Sequence, residues 1–107
     1  MLTEKDYCDY DTCVALMELG FPRWYMPYEI CSKKYLLRLY DAQKWLREEK
    51  GVIVGIINNF TTQEFDYYVS TWAEDRCRGN AYTTYEDALL RGIKEAIKIL
   101  KEGIDGN

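Results

Sequence analysis

Apolar residues recur at the spacing of an α-helix in three stretches of the chain. The first stretch has its small and apolar positions at i, i+3, i+4 and i+7, which are Cys13, Leu16, Met17 and Gly20. Asp9 or Asp11 is expected to cap the free amides where this helix begins. Gly20 is expected to end it, because glycine adopts the left-handed conformation of a helix C-terminus at little cost.

The second helix is predicted around residues 40–47. One face of this stretch is apolar, at Leu39, Ala42, Trp45 and Leu46, and the opposite face is charged. Gly51 marks its end, and Ser32 leaves open an earlier start of the same helix.

The third helix has the strongest pattern in the sequence. It is expected to begin at a capping box, formed by Thr83 with Glu86 or by Thr84 with Asp87. Gly103 is expected to stop it. Its apolar stripe consists of Leu89, Ile93, Ala96, Ile97, Leu100 and Ile104.

Three further segments are predicted to form an antiparallel sheet. Residues 52–57 are β-branched and nearly all apolar, so we expect them inside the sheet and covered on both faces. Residues 65–72 alternate in polarity, and the short link between these two segments favours a hairpin. A third strand is predicted in residues 24–31, at an edge or a bulge because of Pro27. Residues 74–80 are polar and contain a glycine, so they are expected to form a loop.

These elements predict a single α+β domain over residues 1–107, in which helices pack on a small antiparallel sheet of about three strands in the order α-β-α-β-β-α. The length leaves no room for two cores, and 48% hydrophobic residues is far from a disordered composition. No apolar run approaches the roughly 20 residues of a membrane helix. The polar, acidic N-terminus lacks the features of a signal peptide. We therefore expect a cytoplasmic protein with no membrane contact.

Cysteine and histidine usage argues against a catalytic or metal-binding protein. The four cysteines, Cys8, Cys13, Cys31 and Cys77, are expected to be reduced, and no Cys-x-x-Cys pair and no histidine is present to build a zinc site. Without histidine the usual general base near neutral pH is missing. Cys77 lies between two arginines that would favour a reactive thiolate, but such a loop cysteine is more often incidental. We expect no enzyme activity and no cofactor.

Acidic residues near the N-terminus have two interpretations. Asp9 and Asp11, with Asp6 and Glu4 nearby, would offer carboxylates to Mg²⁺ or Ca²⁺. The simpler interpretation is that acids before a helix are favoured by capping and by the helix dipole. The sequence favours capping.

Aromatic residues are in excess, with ten tyrosines and three tryptophans. Neighbouring residues of a strand face opposite sides of the sheet, so the adjacent aromatics are hard to bury together. Exposed Tyr, Trp, Met and Arg are the residue types enriched at protein interfaces. The candidate binding surface consists of Arg23, Trp24, Tyr25, Tyr28, Tyr67, Tyr68 and Trp72.

The same aromatics suit single-stranded nucleic acid, whose bases stack on exposed rings while basic side chains contact phosphates. A local basic patch is available at Lys33, Lys34 and Arg38. The net charge of −4 argues against the large cationic field on which nucleic-acid affinity rests. Nucleic acid is therefore the alternative partner, behind a protein.

The chain resembles small uncharacterised accessory proteins of gut-bacterial phages, prophages and conjugative elements. The resemblance lies in residues 12–21, in residues 40–49 and in residues 84–89, which open the final helix. These segments are helix starts and packing positions, so the resemblance implies a mobile-element accessory protein and no mechanism. We expect a non-catalytic binding protein that acts through contact with another protein or with itself as a homodimer. A small enzyme is the least favoured alternative.

Overall fold

The computed structural model describes residues 6–22, 37–72 and 74–105, with the side chains of residues 104 and 105 excepted. Within these residues three helices and three strands follow one another in the order α-α-β-β-β-α. This confirms the α+β class, while the order differs from the expected α-β-α-β-β-α. The elements are α1 (Tyr10–Glu18), α2 (Leu39–Lys50), β1 (Val52–Asn59), β2 (Glu64–Thr71), β3 (Asp75–Tyr82) and α3 (Tyr85–Asp105).

The first helix begins and ends as its sequence predicts. The Asp9 carboxylate accepts hydrogen bonds from the backbone N–H of Thr12 at 2.9 Å and from its hydroxyl at 2.5 Å. At the other end, Gly20 takes a φ of 108° and donates to the carbonyl of Met17. Phe21 donates to the carbonyl of Leu16, which completes a Schellman motif and turns the chain back on the helix.

The second and third helices match their patterns, with one difference at the end of α3. Gly51 ends α2 with a φ of 67°. The Thr84 hydroxyl accepts a hydrogen bond from the backbone N–H of Asp87 at 3.1 Å, which identifies the capping residue of α3. The expectation that Gly103 stops α3 is wrong, because this glycine has no positive φ and the helix continues to Asp105.

The sheet is antiparallel, with β2 between β1 and β3. The predicted hairpin of β1 and β2 is confirmed, but the loop expected over residues 74–80 is wrong, because most of it forms β3. The strand expected over residues 24–31 lies outside the described residues. The cover expected on both faces of β1 is wrong, because Val52 and Val54 are buried while Ile57 is exposed. Among the described residues β1 pairs with β2, and its interior position in the sheet stays a prediction.

The core lies between one face of the sheet and the helices. The buried stripe of α3 includes Ile93, and α3 comes so close to the sheet at Gly92 that a Cβ there would lie 2.5 Å from Cγ1 of Val54. The second helix packs against both β1 and α3. None of the helices in the described part of the chain is long and apolar enough to cross a membrane.

Candidate binding surface

The register of the strands separates an inner face of the sheet from an outer one. Residues directly opposite each other share a face, so Val54 with Val69 and Ile56 with Tyr67 lie on the helix side. The outer face, on the opposite side, is formed by Ile53, Gly55, Ile57, Asp66, Tyr68, Ser70, Trp72 and Arg78. No buried residue of the sheet lies on this face, so the described part of the chain leaves it open to a partner.

Tyr67, predicted as part of the binding surface, belongs to the core. It is 6% exposed, and its ring packs 5.8 Å from that of Tyr82. Burial raises the pKa of this phenol. Tyr67 is therefore not accessible to a partner, because the two-residue repeat of a strand assigns one of the two consecutive tyrosines to each face.

Tyr68 and Trp72 lie on the outer face. The ring of Tyr68 covers Gly55 across the strand pair, where it occupies the position that a Cβ would take. Trp72 follows β2 and lies beside Gly51, where its Cδ1 atom is 3.6 Å from the position that a Cβ at Gly51 would take. The side chain of Trp72 is 82% exposed. Together with Ile53 between them, these rings form an apolar ridge along the open side of the sheet.

Apolar exposure continues toward the tip of the β1–β2 hairpin. Ile57 is 43% exposed and the tip residue Phe60 is 85% exposed. Beside Ile57, a cleft of about 290 Å³ opens where the pairing of β2 and β3 shifts, and its walls include the charged groups of Asp66 and Arg78. The sequence pattern missed Ile53, Ile57 and Phe60, because residues 52–57 are nearly all apolar and no alternation of polarity separates the two faces of β1.

The arginines of β3 have acidic neighbours. Arg76 pairs with Glu74 at 3.1 Å, and Arg78 pairs with Asp75 at 3.5 Å. Arg38, expected in a basic patch, likewise pairs with Asp41 at 3.0 Å. These exposed ion pairs are weak, but each places a carboxylate beside the cation and so lowers the positive potential of the surface.

The edges of the sheet are poorly suited to pairing with another strand. Along β3 the register shifts twice, and the strand carries the charged side chains of Arg76 and Arg78. Register shifts and charged side chains each discourage edge-to-edge pairing. Along β1 the side chain of Gln43 donates to the carbonyl of Val54 at 2.7 Å, so α2 covers part of this edge. The open face of the sheet, and not its edge, is therefore the candidate surface.

The remaining predicted surface residues, Arg23, Trp24, Tyr25 and Tyr28, lie outside the described residues, as do Lys33 and Lys34. A larger cavity of about 740 Å³ lies between Phe21, Leu37 and Trp45. This cavity is also lined by Pro22, so it lies at the two described residues that flank residues 23–36 and apart from the outer face.

The Cys77 thiol is half-buried against α3. Burial and the carboxylate of Glu95 raise its pKa, and they outweigh the opposing effect of Arg76, Arg91 and Lys98. The thiolate form that nucleophilic chemistry requires is therefore disfavoured.

The Asp9 carboxylate is used for capping α1 and for pairing with Lys94. Partial burial acts to raise the pKa of Asp9, but hydrogen bonds from Lys94 and Thr12 outweigh it, and the pKa is lowered. The Lys94 ammonium lies 2.7 Å from the Asp9 carboxylate, which ties the start of α1 to α3. In the described part of the chain, no three Cys, Asp or Glu side chains are grouped to hold a metal ion.

Comparison with known proteins gives no relative. No protein-family model matches the chain, and no curated protein and no solved structure matches it.

Proposed function

We propose that this domain is a binding protein that recognises a protein partner with the outer face of its sheet. The observation that carries the proposal is the apolar ridge of Tyr68 and Trp72, which no described helix covers. Trp and Tyr are the residues that most often dominate interface energies. Trp72 is 82% exposed, so its burial against a partner would remove apolar surface from water.

A second copy of the chain is the first partner to test. The three strands have eight residues each. With the residue and strand spacings of an antiparallel sheet, the outer face has an area of roughly 400 Å². Stable interfaces bury about 800 Å² per partner. Self-association through the face alone should therefore be weak and visible only at high protein concentration.

Sedimentation equilibrium over a range of about 10 µM to 1 mM tests self-association. The wild-type protein is expected to shift toward twice the monomer mass as the concentration rises. Trp72→Ala should abolish the shift without changing the circular dichroism spectrum. Tyr40→Ala is the matched control, since Tyr40 is 60% exposed on α2, away from the outer face. A protein that stays monomeric over the whole range would exclude the homodimer.

Recognition of a different protein is tested by capture with the same three baits in extracts of the source cells. Proteins retained by the wild-type and Tyr40→Ala baits, but lost from Trp72→Ala, would support the proposal. If the captured set is the same for all three baits, the outer face is not the binding surface.

Nucleic-acid binding is the second candidate function. The observation that favours it is the cross-strand pair of Tyr68 and Arg78, which places an aromatic ring next to a guanidinium on the open face. The ion pair of Arg78 with Asp75 and the net charge of −4 oppose it. Fluorescence anisotropy with single-stranded oligonucleotides at low salt tests this function. Binding should weaken steeply with salt and be lost in Tyr68→Ala, and a flat titration excludes it.

A further inference from the structure

The strand pairing places more negative than positive charge on the outer face of the sheet. Residues that pair directly across an antiparallel sheet share a face, and this register places Glu64, Asp66 and Asp75 on the outer one. The same register places Arg78 there, and its guanidinium pairs with Asp75 at 3.5 Å. Of the described side chains that the pairing assigns to this face, the carboxylates of Glu64 and Asp66 are not neutralised by a cation, so the face favours a cationic partner.

Asp66 lines the cleft of about 290 Å³ on this face. Its Oδ1 atom accepts a hydrogen bond from the backbone N–H of Ala81 at 3.3 Å, which helps to hold the carboxylate at the wall of the cleft. No lysine or arginine in the described part of the chain forms an ion pair with Asp66. A carboxylate has acceptor sites beyond the one that Ala81 uses, so a donor from another molecule can pair with it.

The size of the cleft and its neighbours indicate which side chain it would hold. Sites for drug-sized ligands occupy about 300–1,000 Å³, so a cleft of about 290 Å³ is suited to one side chain. Tyr68 lies two residues beyond Asp66 on the same face, which is a distance of about 7 Å along a strand. A guanidinium pairs with a carboxylate through two N–H donors and also stacks on an aromatic ring, whereas an ammonium is a strongly hydrated point charge. Arginine therefore fits this combination best.

We propose that the outer face recognises a basic segment of a partner protein, whose arginine enters the cleft and pairs with Asp66 while apolar side chains beside it cover Tyr68 and Trp72. This inference rests on the proposed function, because it names the partner of the same apolar ridge. Burial of the ridge supplies most of the affinity. The carboxylate selects for positive charge and sets the position of the segment on the face.

The charge of the face opposes both a second copy of the chain and a nucleic acid. In a symmetric dimer the same patch of each copy would meet, which brings Glu64 and Asp66 of one copy toward those of the other. The Arg78 that could neutralise them is already paired with Asp75. A nucleic acid would bring its phosphates toward the same carboxylates. A basic protein segment meets neither repulsion.

Selection from a library of random displayed peptides tests the inference. Peptides of about 12 residues in extended form are long enough to reach from Asp66 to Trp72, which are about 20 Å apart along the strand direction. Peptides that bind the wild-type domain and are lost from Trp72→Ala are ligands of the outer face. These peptides should be enriched in arginine, and their affinity for Asp66→Asn should fall about tenfold.

Two substitutions of a carboxylate by its amide form a matched pair. Asp66→Asn removes the charge but keeps an oxygen that can accept from the N–H of Ala81. Glu102→Gln also removes one negative charge, but from an exposed position on α3, which packs against the opposite side of the sheet. The control should bind the selected peptides as tightly as the wild-type domain does.

A charge exchange makes the result decisive. A selected peptide with glutamate in place of its arginine should lose affinity for the wild-type domain and recover it with Asp66→Arg, checked for folding by circular dichroism. Trp72-dependent peptides without arginine enrichment, or with equal affinity for the wild-type domain and Asp66→Asn, would refute the basic partner and leave the proposed binding face intact. If no selected peptide depends on Trp72, the proposed function fails together with this inference.

Discussion

The ring of Tyr68 lies across Gly55 of the neighbouring strand and fills the space that a side chain at Gly55 would occupy. One residue earlier along β2, the ring of Tyr67 covers Gly79 of β3 in the same way. The two tyrosines point to opposite faces of the sheet, so one covers a glycine on the outer face and the other covers a glycine on the helix side. Aromatic rings of this kind compensate for the missing side chain of a strand glycine.

The two glycines should respond differently to the same substitution. In Gly79→Ala, the new methyl group overlaps the ring of Tyr67, which is only 6% exposed, so we expect a loss of about 1–3 kcal/mol in the free energy of unfolding. In Gly55→Ala, the half-buried Tyr68 can turn toward solvent, and the loss should stay below about 1 kcal/mol. Urea denaturation of both variants measures the difference. Equal losses would mean that the outer ring is as confined as the inner one.

Two glycines of α3 provide a second matched pair. Gly92→Ala brings a methyl group against Val54 and Tyr67. We expect this overpacking to lower the free energy of unfolding by about 1–3 kcal/mol, which outweighs the stabilisation from the higher helix propensity of alanine. At Gly103 no atom lies within 4 Å of an added Cβ, so Gly103→Ala should stabilise the protein by up to about 1 kcal/mol. Thermal unfolding should show opposite shifts in Tm. Shifts of the same sign would contradict the close approach of α3 to the sheet.

The helices and the β1–β2 hairpin were predictable because their signals are local. Capping by Asp9, the turn at Gly20 and the apolar stripe of α3 all depend on residues a few positions apart. The third strand was not predictable, because its pairing with β2 shifts register twice and Ala81 adopts a left-handed φ, which breaks the alternation expected of a strand. For the surface, alternation indicated that only one of Tyr67 and Tyr68 is exposed, but which face is covered depends on the packing of α3.

The left-handed conformation of Ala81 should be relieved by glycine. Ala81 has a φ of 71° at a register shift of β3, a region in which a Cβ is unfavourable by roughly 1–2 kcal/mol. Because glycine is more flexible in the unfolded chain, the net gain of Ala81→Gly should be at most about 1 kcal/mol. Gly20→Ala is the converse test, since Gly20 has a φ of 108° and open space around it. We expect backbone strain alone to destabilise Gly20→Ala. The urea midpoints of Ala81→Gly and Gly20→Ala, each compared with that of the wild-type protein, measure the two effects.

The ion pair between Asp9 and Lys94 should make stability depend on pH in the acid range. The pKa of Asp9 is lower in the folded protein than its ordinary value of 3.8. A lowered pKa means that this stabilisation is complete above about pH 4 and is lost as the pH falls through the folded-state value. Both side chains are partly exposed, so the contribution should be about 0.2–1 kcal/mol.

Asp9→Asn tests this dependence, because asparagine still caps the helix but cannot pair with Lys94. Urea denaturation at pH 7 should show the variant to be less stable than the wild-type protein, and the difference should shrink toward pH 2. Lys94→Gln leaves the cap intact and should reproduce both the loss and its disappearance in acid. A difference that stays constant from pH 7 to pH 2 would mean that the cap alone, without the ion pair, accounts for the stabilisation by Asp9.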